Sequence, residues 1–445
     1  MSHCATSPET PPSCSVGPAA PGGSVGFVGR LESLRGLAAM AVSAHHASLI
    51  LPLAGWQLLL VEHAQILMNG RAAVTLFFVL SGLVLGLSLR RTHGAFDLSI
   101  SQFYLRRIFR IVPAFFVCTS LIAAYLVFVY SDGPGPGGYW FEHFFGAYHQ
   151  PVTARQVVMN LLFRDDSLNG IAWTLRIEIE CSFLLPLFHW AASRLTLRQN
   201  IFLLLALPLV GLQLRGPGKY FYMFFAGYLL PLIGPALFAP LRQQPRRAAL
   251  GVVAAGAAML FARLIGENDV LLQGAGLAVE CLGAAGLIGM LLYGPELKAY
   301  LGLDRALVRF YGRISYSYYL WHYFLLFLVT RFALELVSRE LMLASPLMWS
   351  FLLWLISMLI ATLAAYLSYR FVETPCIGLS KSICLKMNWR RTSAANATSG
   401  GFRPILAFDE SPVRPRPSGR ECPNPSAAVP LAESPGLETK PSLDT

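Results

Sequence analysis

Long apolar blocks separated by short polar segments dominate the chain between about residues 34 and 369. A helix needs about 20 predominantly apolar residues to cross the hydrocarbon layer of a bilayer, and most of the blocks have that length. The pattern predicts an all-α integral membrane protein in which about ten transmembrane helices form a bundle. Their approximate bounds are 34–53, 72–90, 112–130, 170–190, 199–214, 221–239, 247–265, 269–293, 314–336 and 347–369.

Composition and charge support this fold class. Of the 445 residues, 55% are hydrophobic and only 13% are charged, whereas a soluble globular chain carries charge on about a quarter of its residues. The net charge of +11 comes from arginines clustered in alternate connections between the blocks, as the positive-inside rule requires. We therefore predict both termini in the cytoplasm and no nucleic-acid partner. Ten spans, an even number, fit this asymmetry.

Two segments flank the predicted transmembrane domain of residues 30–378, and a third lies within that range but outside the predicted spans. Residues 1–29 are rich in Pro, Gly and Ser and contain no apolar signal-peptide core, which predicts a disordered cytoplasmic N-terminus. Residues 379–445 are assigned to a Pro/Ser-rich, disordered cytoplasmic tail. Residues 131–169 form a long outer loop, and loops of this length commonly act as a lid or a binding surface.

Ionisable side chains at membrane depth are costly and are therefore candidates for function. Arg35 and His46 lie eleven residues apart in the first span, which is about 16 Å along a helix and close to three full turns. They consequently share one helix face, and His46 lies deep in the membrane. His46 could form an interhelical hydrogen bond, or it could serve as a general base, because imidazole titrates near neutral pH.

A cationic segment, "RRIFRIVP", leads into the third span. Arg107 and Arg110 are three residues apart, so they lie on one face of the helix. Simple anchoring at the cytoplasmic surface would explain such a cluster. Alternatively, two guanidinium groups one turn apart can bind a polyphosphate through bidentate hydrogen bonds. Ser81, in "FFVLSG" of the second span, favours close helix packing over a nucleophilic role.

Further buried polar groups occur in the fourth and ninth spans. Glu178 and Glu180 point to different sides of their helix, so at most one of them faces a shared cavity. Pairing with Arg176 would explain either carboxylate, and orienting a histidine is the functional alternative. His322 lies two to three turns into "YGRISYSYYLWHYF", a depth that interfacial anchoring does not explain.

Taken in order, these motifs resemble those of the bacterial membrane-bound acyltransferase-3 family, which O-acylates sugars and other hydroxylated acceptors. The matching segments cover roughly residues 30–378 and are "LESLRGLAAMAVSAHH", "VTLFFVLSG", "RRIFRIVP", "AWTLRIEIE", "GRISYSYYLWH" and "FVETP". The chain departs from the family pattern at several positions, including Thr75, where the family carries an aspartate. The resemblance implies a stand-alone form without the hydrolase-like periplasmic domain that some members carry.

The resemblance also implies roles for individual residues and a substrate pair. It places the catalytic groups at His46, Glu178 and His322, and the donor-binding groups at Arg35, Arg107 and Arg110. The donor would be cytoplasmic acyl-CoA, with acetyl as the usual acyl group, and no metal or bound cofactor is expected. The acceptor would be a carbohydrate or lipid-linked glycan such as exopolysaccharide, lipopolysaccharide sugar or a glycoside. The implied setting is the lipid of a bacterial inner (plasma) membrane.

Two other functions share some of these features. A multi-pass transporter or flippase of a glycan or lipid-linked sugar would also bury ionisable residues. It would be expected to show broken helices and an internal repeat, and the sequence contains no convincing repeat. A scaffold associated with envelope polysaccharide assembly machinery would tolerate replacement of all the polar residues named above.

Overall fold

The computed structural model describes residues 24–91, 96–131, 135–136, 139–213, 216–265 and 269–398. This described part of the chain contains helices and connecting turns and no strand. The α-helices are α1 Ser24–Ser48, α2 Trp56–Leu67, α3 Gly70–Arg91, α4 Phe96–Phe128, α5 Tyr139–Phe145, α6 Ala154–Leu161, α7 Ala172–Ala192, α8 Leu197–Gln213, α9 Phe221–Phe238, α10 Pro245–Phe261, α11 Val270–Tyr293, α12 Ala306–Leu336, α13 Arg339–Ala344, α14 Pro346–Ser368 and α15 Thr374–Thr398.

The structure confirms an all-α integral membrane protein. Each of the ten predicted spans corresponds to a helix, namely α1, α3, α4, α7, α8, α9, α10, α11, α12 and α14. Within the described ranges, seven helical segments are long and apolar enough to cross a membrane. Three of the ten fall outside that group for physical reasons: ionisable residues interrupt α1 and α7, and α8 has only 17 residues. The number of spans and the cytoplasmic placement of both termini remain predictions.

Two glycines bring α1 and α12 into close contact. A Cβ atom placed on Gly36 would lie 2.5 Å from the backbone nitrogen of Gly312, and one placed on Gly312 would lie 2.6 Å from the carbonyl group of Glu32. Small residues permit this approach in membrane bundles, where helix backbones can then pack directly. The contact matters for the site, because α1 carries Arg35 and His46 and α12 carries His322.

We expect Gly312→Ala to destabilise the protein by about 1–3 kcal/mol, because the added methyl group has no room at the crossing. Gly256→Ala in α10 is the matched control, since a Cβ atom there meets nothing within 4 Å. Alanine is the better helix former by roughly 0.5–1 kcal/mol, so this control should be neutral or stabilising. Thermal unfolding of both variants in detergent provides the measurement. Equal melting temperatures would contradict the close-packing interpretation.

A second pair of glycines joins α3 to α9. A Cβ atom on Gly82 would lie 2.0 Å from the carbonyl oxygen of Phe224, and one on Gly227 would lie 2.0 Å from that of Val79. The close-packing interpretation of the "SG" dipeptide is therefore confirmed for Gly82. The neighbouring Ser81 faces elsewhere and belongs to the candidate site described below.

The helices extend beyond both predicted bounds of the bundle, residues 30 and 378. Helix α1 begins at Ser24, so residues 24–29 are helical and only residues 1–23 of the predicted disordered N-terminus lie outside the described residues. At the other end, α15 extends to Thr398, and residues 379–398 are helical although they were assigned to the disordered tail. The tail prediction rested on Pro and Ser further along; residues 379–398 contain neither Pro nor Gly. Residues 399–445 lie outside the described part.

The helix that carries the final predicted span continues through "FVETP". One π-helical turn, Tyr369–Glu373, follows α14, and α15 begins directly after it at Thr374. Pro375 is the second residue of α15, and because proline has no backbone N–H, it cannot donate a helical hydrogen bond to the preceding turn. Isolated π-helical turns inside helices frequently occur at functional sites, and this one leads into a helix that lines the candidate site.

Candidate active site

Helices α1 and α12 place two buried histidines side by side. The ring centroids of His46 and His322 are 5.6 Å apart, and His322 is only 1% exposed. His322 Nδ1 lies 2.7 Å from the carbonyl oxygen of Tyr319. A carbonyl can only accept, so Nδ1 carries the hydrogen and the lone pair of a neutral ring is on Nε2. His322 Nε2 and His46 Nδ1 are buried and have no hydrogen-bond partner among the described residues.

The outer loop covers this histidine pair. Helix α5 of the loop packs Phe144 against the His46 ring, with 5.4 Å between the centroids, and Phe145 against Tyr323 at 4.7 Å. Tyr323 in turn lies 5.4 Å from His46. Aromatic side chains therefore shield the histidines on the side of residues 131–169. The lid role proposed for this loop remains a prediction, and these contacts support it.

Glu178 lies at the centre of a separate polar group formed by α3, α4 and α7. Arg107 Nη2 donates to Glu178 Oε1, and Ser81 Oγ donates to the same oxygen at 3.0 Å. Arg107 Nε also donates to Ser182 Oγ at 3.0 Å. The side chains of Arg107 and Glu178 are only 10% and 15% exposed, so this largely buried guanidinium and carboxylate neutralise each other. Glu180 instead pairs with Arg176 at 2.9 Å on a partly exposed surface, so only one of the two glutamates faces the interior.

A cavity of about 220 Å³ opens next to this group. We call it the arginine cavity because its cationic lining consists of Arg35, Arg106, Arg107, Arg110 and Lys381. Four of these come from α1 and α4, whereas Lys381 comes from α15. Ser380 and Lys381, which the sequence assigned to the disordered tail, therefore form part of one wall of the cavity. Such a concentration of cations suits a polyphosphate ligand.

A narrow cavity of about 30 Å³ adjoins the arginine cavity, and neither His46 nor His322 is among its lining residues. Arg35 and Ser81 line both cavities, and the narrow one is also lined by Glu178, Thr174 and Tyr319. The hydroxyls of Thr174 and Tyr319 are 3.0 Å apart. The Tyr319 ring lies 5.4 Å from His322. A series of polar side chains, which we call the passage, therefore connects the arginine cavity to the histidine pair.

The six residues proposed from the sequence form two groups joined by this passage. One group contains His46 and His322, and the other contains Arg35, Arg107, Arg110 and Glu178. The proposal that Glu178 orients His46 does not fit the geometry, because the carboxylate is bound to Arg107 and Ser81. Arg107 already donates a hydrogen bond to Glu178, so Arg35 and Arg110 are better placed to bind an anion.

Four of the residues that line the passage or the arginine cavity were not among the six proposed from the sequence, namely Ser81, Thr174, Tyr319 and Lys381. Ser81, Thr174 and Tyr319 lie inside quoted motifs, which is the one signal that could have identified them. Lys381 carried no such signal. The described part of the chain contains no group of three or more His, Cys, Asp or Glu side chains arranged to hold a metal ion.

Comparison with known proteins decides the family. The acyltransferase-3 family model, described as an acyltransferase domain, matches residues 28–370. The chain belongs to the acyltransferase-3 family. The resemblance drawn from the six motifs is thereby confirmed, and acyl transfer is the class of reaction that the family assignment carries.

The chain is also similar to a peptidoglycan O-acetyltransferase. The chain is 25% identical over 383 residues to the peptidoglycan O-acetyltransferase OatA of Listeria monocytogenes. This similarity covers 78% of the chain and 56% of that protein, so the acyltransferase-3 chain spans a little over half the length of the relative. No solved structure matches this chain significantly.

Proposed function

We propose that the protein transfers an acyl group, acetyl in the simplest case, from cytoplasmic acyl-CoA to a hydroxyl of an envelope or exported carbohydrate. The observation that carries the proposal is the passage from the arginine cavity to the histidine pair. One end suits the phosphates of a nucleotide-bearing donor, and the other end holds two imidazoles with unpartnered nitrogens. Its relative OatA is a peptidoglycan O-acetyltransferase, which favours a carbohydrate acceptor.

The donor would bind through its phosphates. Arg35 and Arg110 are the principal ligands, and Arg106 and Lys381 add charge at the mouth of the arginine cavity. Arg35 is eleven residues from His46 on one helix, about 16 Å along its axis. A thioester at the end of an extended arm would need to span this distance to meet His46. The narrow cavity beside Arg35 marks a course for that arm, and it would have to widen, because its volume is only about 30 Å³.

His46 would act as the general base. It removes the proton of the acceptor hydroxyl while the hydroxyl oxygen attacks the thioester carbon. The new C–O ester bond forms, the C–S bond breaks, and the CoA thiolate leaves and takes up one proton. His322 Nε2 has a free lone pair beside His46 and would relay that proton. In the alternative course, His46 attacks the thioester first and carries the acyl group as a transient acyl-imidazole.

The donor site can be tested through Arg110. We expect Arg110→Ala to raise KM for acetyl-CoA by roughly tenfold with kcat little changed, because a phosphate contact binds ground state and transition state alike. The measurement is CoA release by the detergent-purified protein with a carbohydrate acceptor panel. Arg246→Ala is the control, because Arg246 is an exposed arginine of α10. Unchanged KM in Arg110→Ala would contradict the assignment.

The same assay separates the enzyme from a transporter. A detergent solution holds no gradient, so a flippase would produce neither free CoA nor an acylated acceptor there. Turnover in detergent that depends on both acetyl-CoA and a carbohydrate supports the proposal. Absence of turnover with every acceptor, in protein shown to be folded, would contradict it.

A further inference from the structure

A second cavity lies between α8, α9 and α11, away from the arginine cavity. Its volume is about 410 Å³, and its lining is almost entirely apolar. Helix α11 supplies small residues to one wall, including Gly274, Ala278 and Gly286. Leucines of α8 and α9 face them across the space. We call this space the apolar cavity.

The apolar cavity opens on the lipid-facing surface of the bundle. Its rim carries leucines that are each at least 60% exposed in the isolated chain, namely Leu205, Leu209, Leu237, Leu271 and Leu282. Exposed leucines on membrane-spanning helices face hydrocarbon rather than water. A ligand can therefore enter from the bilayer, and its hydrocarbon part would meet only apolar walls.

One polar group interrupts the apolar lining. Tyr222 lines the cavity and is only 5% exposed, and its hydroxyl has no hydrogen-bond partner among the described residues. A buried hydroxyl without a partner is unfavourable and uncommon. An oxygen atom on a ligand in the cavity would satisfy it. The occupant therefore combines a long apolar part with an oxygen-bearing polar part.

Side-chain contacts link the part of the apolar cavity near Tyr222 to the histidine pair. Cys281 lines the cavity, and the adjacent Glu280 is fully buried. Glu280 accepts from Arg71 Nε at 2.8 Å and from Thr75 Oγ1 at 3.2 Å. Arg71 Nη2 is a buried donor without a partner in the described part of the chain.

Residues at the start of α3 continue the link to α1. Gly70, which precedes Arg71, packs against His45, and a Cβ atom on Gly70 would lie 3.0 Å from the His45 ring. His45 neighbours His46 in α1 and its ring lies 6.0 Å away. Arg71 Nη2 thus lies next to the contact between α3 and α1, the helix that carries the candidate catalytic base. Tyr222 Oη, the other donor without a partner in the described part of the chain, lies on α9.

We infer that the apolar cavity holds the hydrocarbon chain of a lipid-anchored carbohydrate acceptor, whose headgroup oxygens accept hydrogen bonds from Tyr222 and Arg71. This inference rests on the proposed function and specifies its acceptor class. A cavity of about 150 Å³ lined by apolar side chains holds benzene, so 410 Å³ accommodates a chain more than twice that size.

The test uses dodecyl β-glucoside with a photoreactive diazirine in its alkyl chain. Purified full-length protein is irradiated with this probe in nanodiscs without acyl donor, and labelled peptides are identified by mass spectrometry. We expect labelling of α8 and α11 at the cavity wall. Ala278→Phe, which fills the cavity, should reduce that labelling at least about fivefold. Ala254→Leu is the matched control, because Ala254 is exposed on α10 outside the cavity. Tyr222→Phe should reduce labelling about three- to tenfold, the loss of one hydrogen bond.

Two results would overturn the inference. One is the absence of cavity labelling in wild-type protein of normal thermal stability. The other is equal labelling by a photoreactive phosphatidylcholine that excess dodecyl glucoside does not displace, which would assign the cavity to bulk lipid. His46→Ala separates this inference from the proposed function, because that variant should keep cavity labelling. Cavity labelling in a wild-type protein that transfers no acyl group would contradict the proposed function alone.

Discussion

Replacing His46 by alanine is expected to lower the rate of acyl transfer by a factor on the order of 10³, within the usual range for loss of a general base. His46 lies between the His322 ring and the aromatic cover of α5. The measurement is acyl transfer by purified protein under saturating acetyl-CoA.

The control for this variant is His63→Ala. His63 is an exposed histidine of α2 whose Nδ1 lies 2.6 Å from the carbonyl oxygen of Leu59, and it lies outside the passage. Its replacement should leave turnover within twofold of wild type, roughly the scale of a neutral surface change. Wild-type turnover in His46→Ala would contradict the mechanism. A covalent acyl group on His46 after rapid quenching would identify the acyl-imidazole course.

The second large effect is expected for Arg107→Ala. This change leaves the Glu178 carboxylate buried beside Ser81 without its cation. Breaking a buried ion pair by removing one partner costs about 3–5 kcal/mol, so we expect both a lower melting temperature and loss of acyl transfer. Arg194→Ala is the control, because Arg194 is exposed, where it covers the ring of Trp190 and donates to the carbonyl oxygen of the same residue.

A double substitution separates stability from function at the same pair. Arg107→Met together with Glu178→Leu replaces two charges by apolar groups, which is often neutral or stabilising for a buried pair. We therefore expect the double variant to recover the melting temperature of wild type while acyl transfer stays lost. Recovery of both properties would assign the pair to folding alone and would remove Glu178 from the proposed site.

Helix positions and the residues of each helix face could be predicted from the sequence. The eleven-residue spacing of Arg35 and His46 places both on one face of α1, and the structure has Arg35 lining the cavities and His46 beside His322. The statement that only one of Glu178 and Glu180 faces the interior followed from the same 100° step. These relations are local, because a helix has a fixed rise and a fixed number of residues per turn.

Relations between helices required the tertiary structure. Glu178 could have oriented a histidine by its depth in α7, but packing of α4 and α3 against α7 gives it Arg107 and Ser81 as partners instead. Lys381 carried no motif, and its position became evident only because a π-helical turn continues α14 into α15. Its place in the arginine cavity depends on contacts among residues hundreds of positions apart in the chain.

The sequence by itself thus determined a helical membrane protein of the acyltransferase-3 family and the ionisable residues that its helices carry into the membrane. The tertiary structure decided which of those residues meet. The reason is physical: hydrophobic blocks and helical periodicity act over a few turns of one segment, whereas a site between helices depends on side-chain fit across their interfaces. In this protein the contact between Gly36 and Gly312 brings α1 against α12, and with it His46 beside His322.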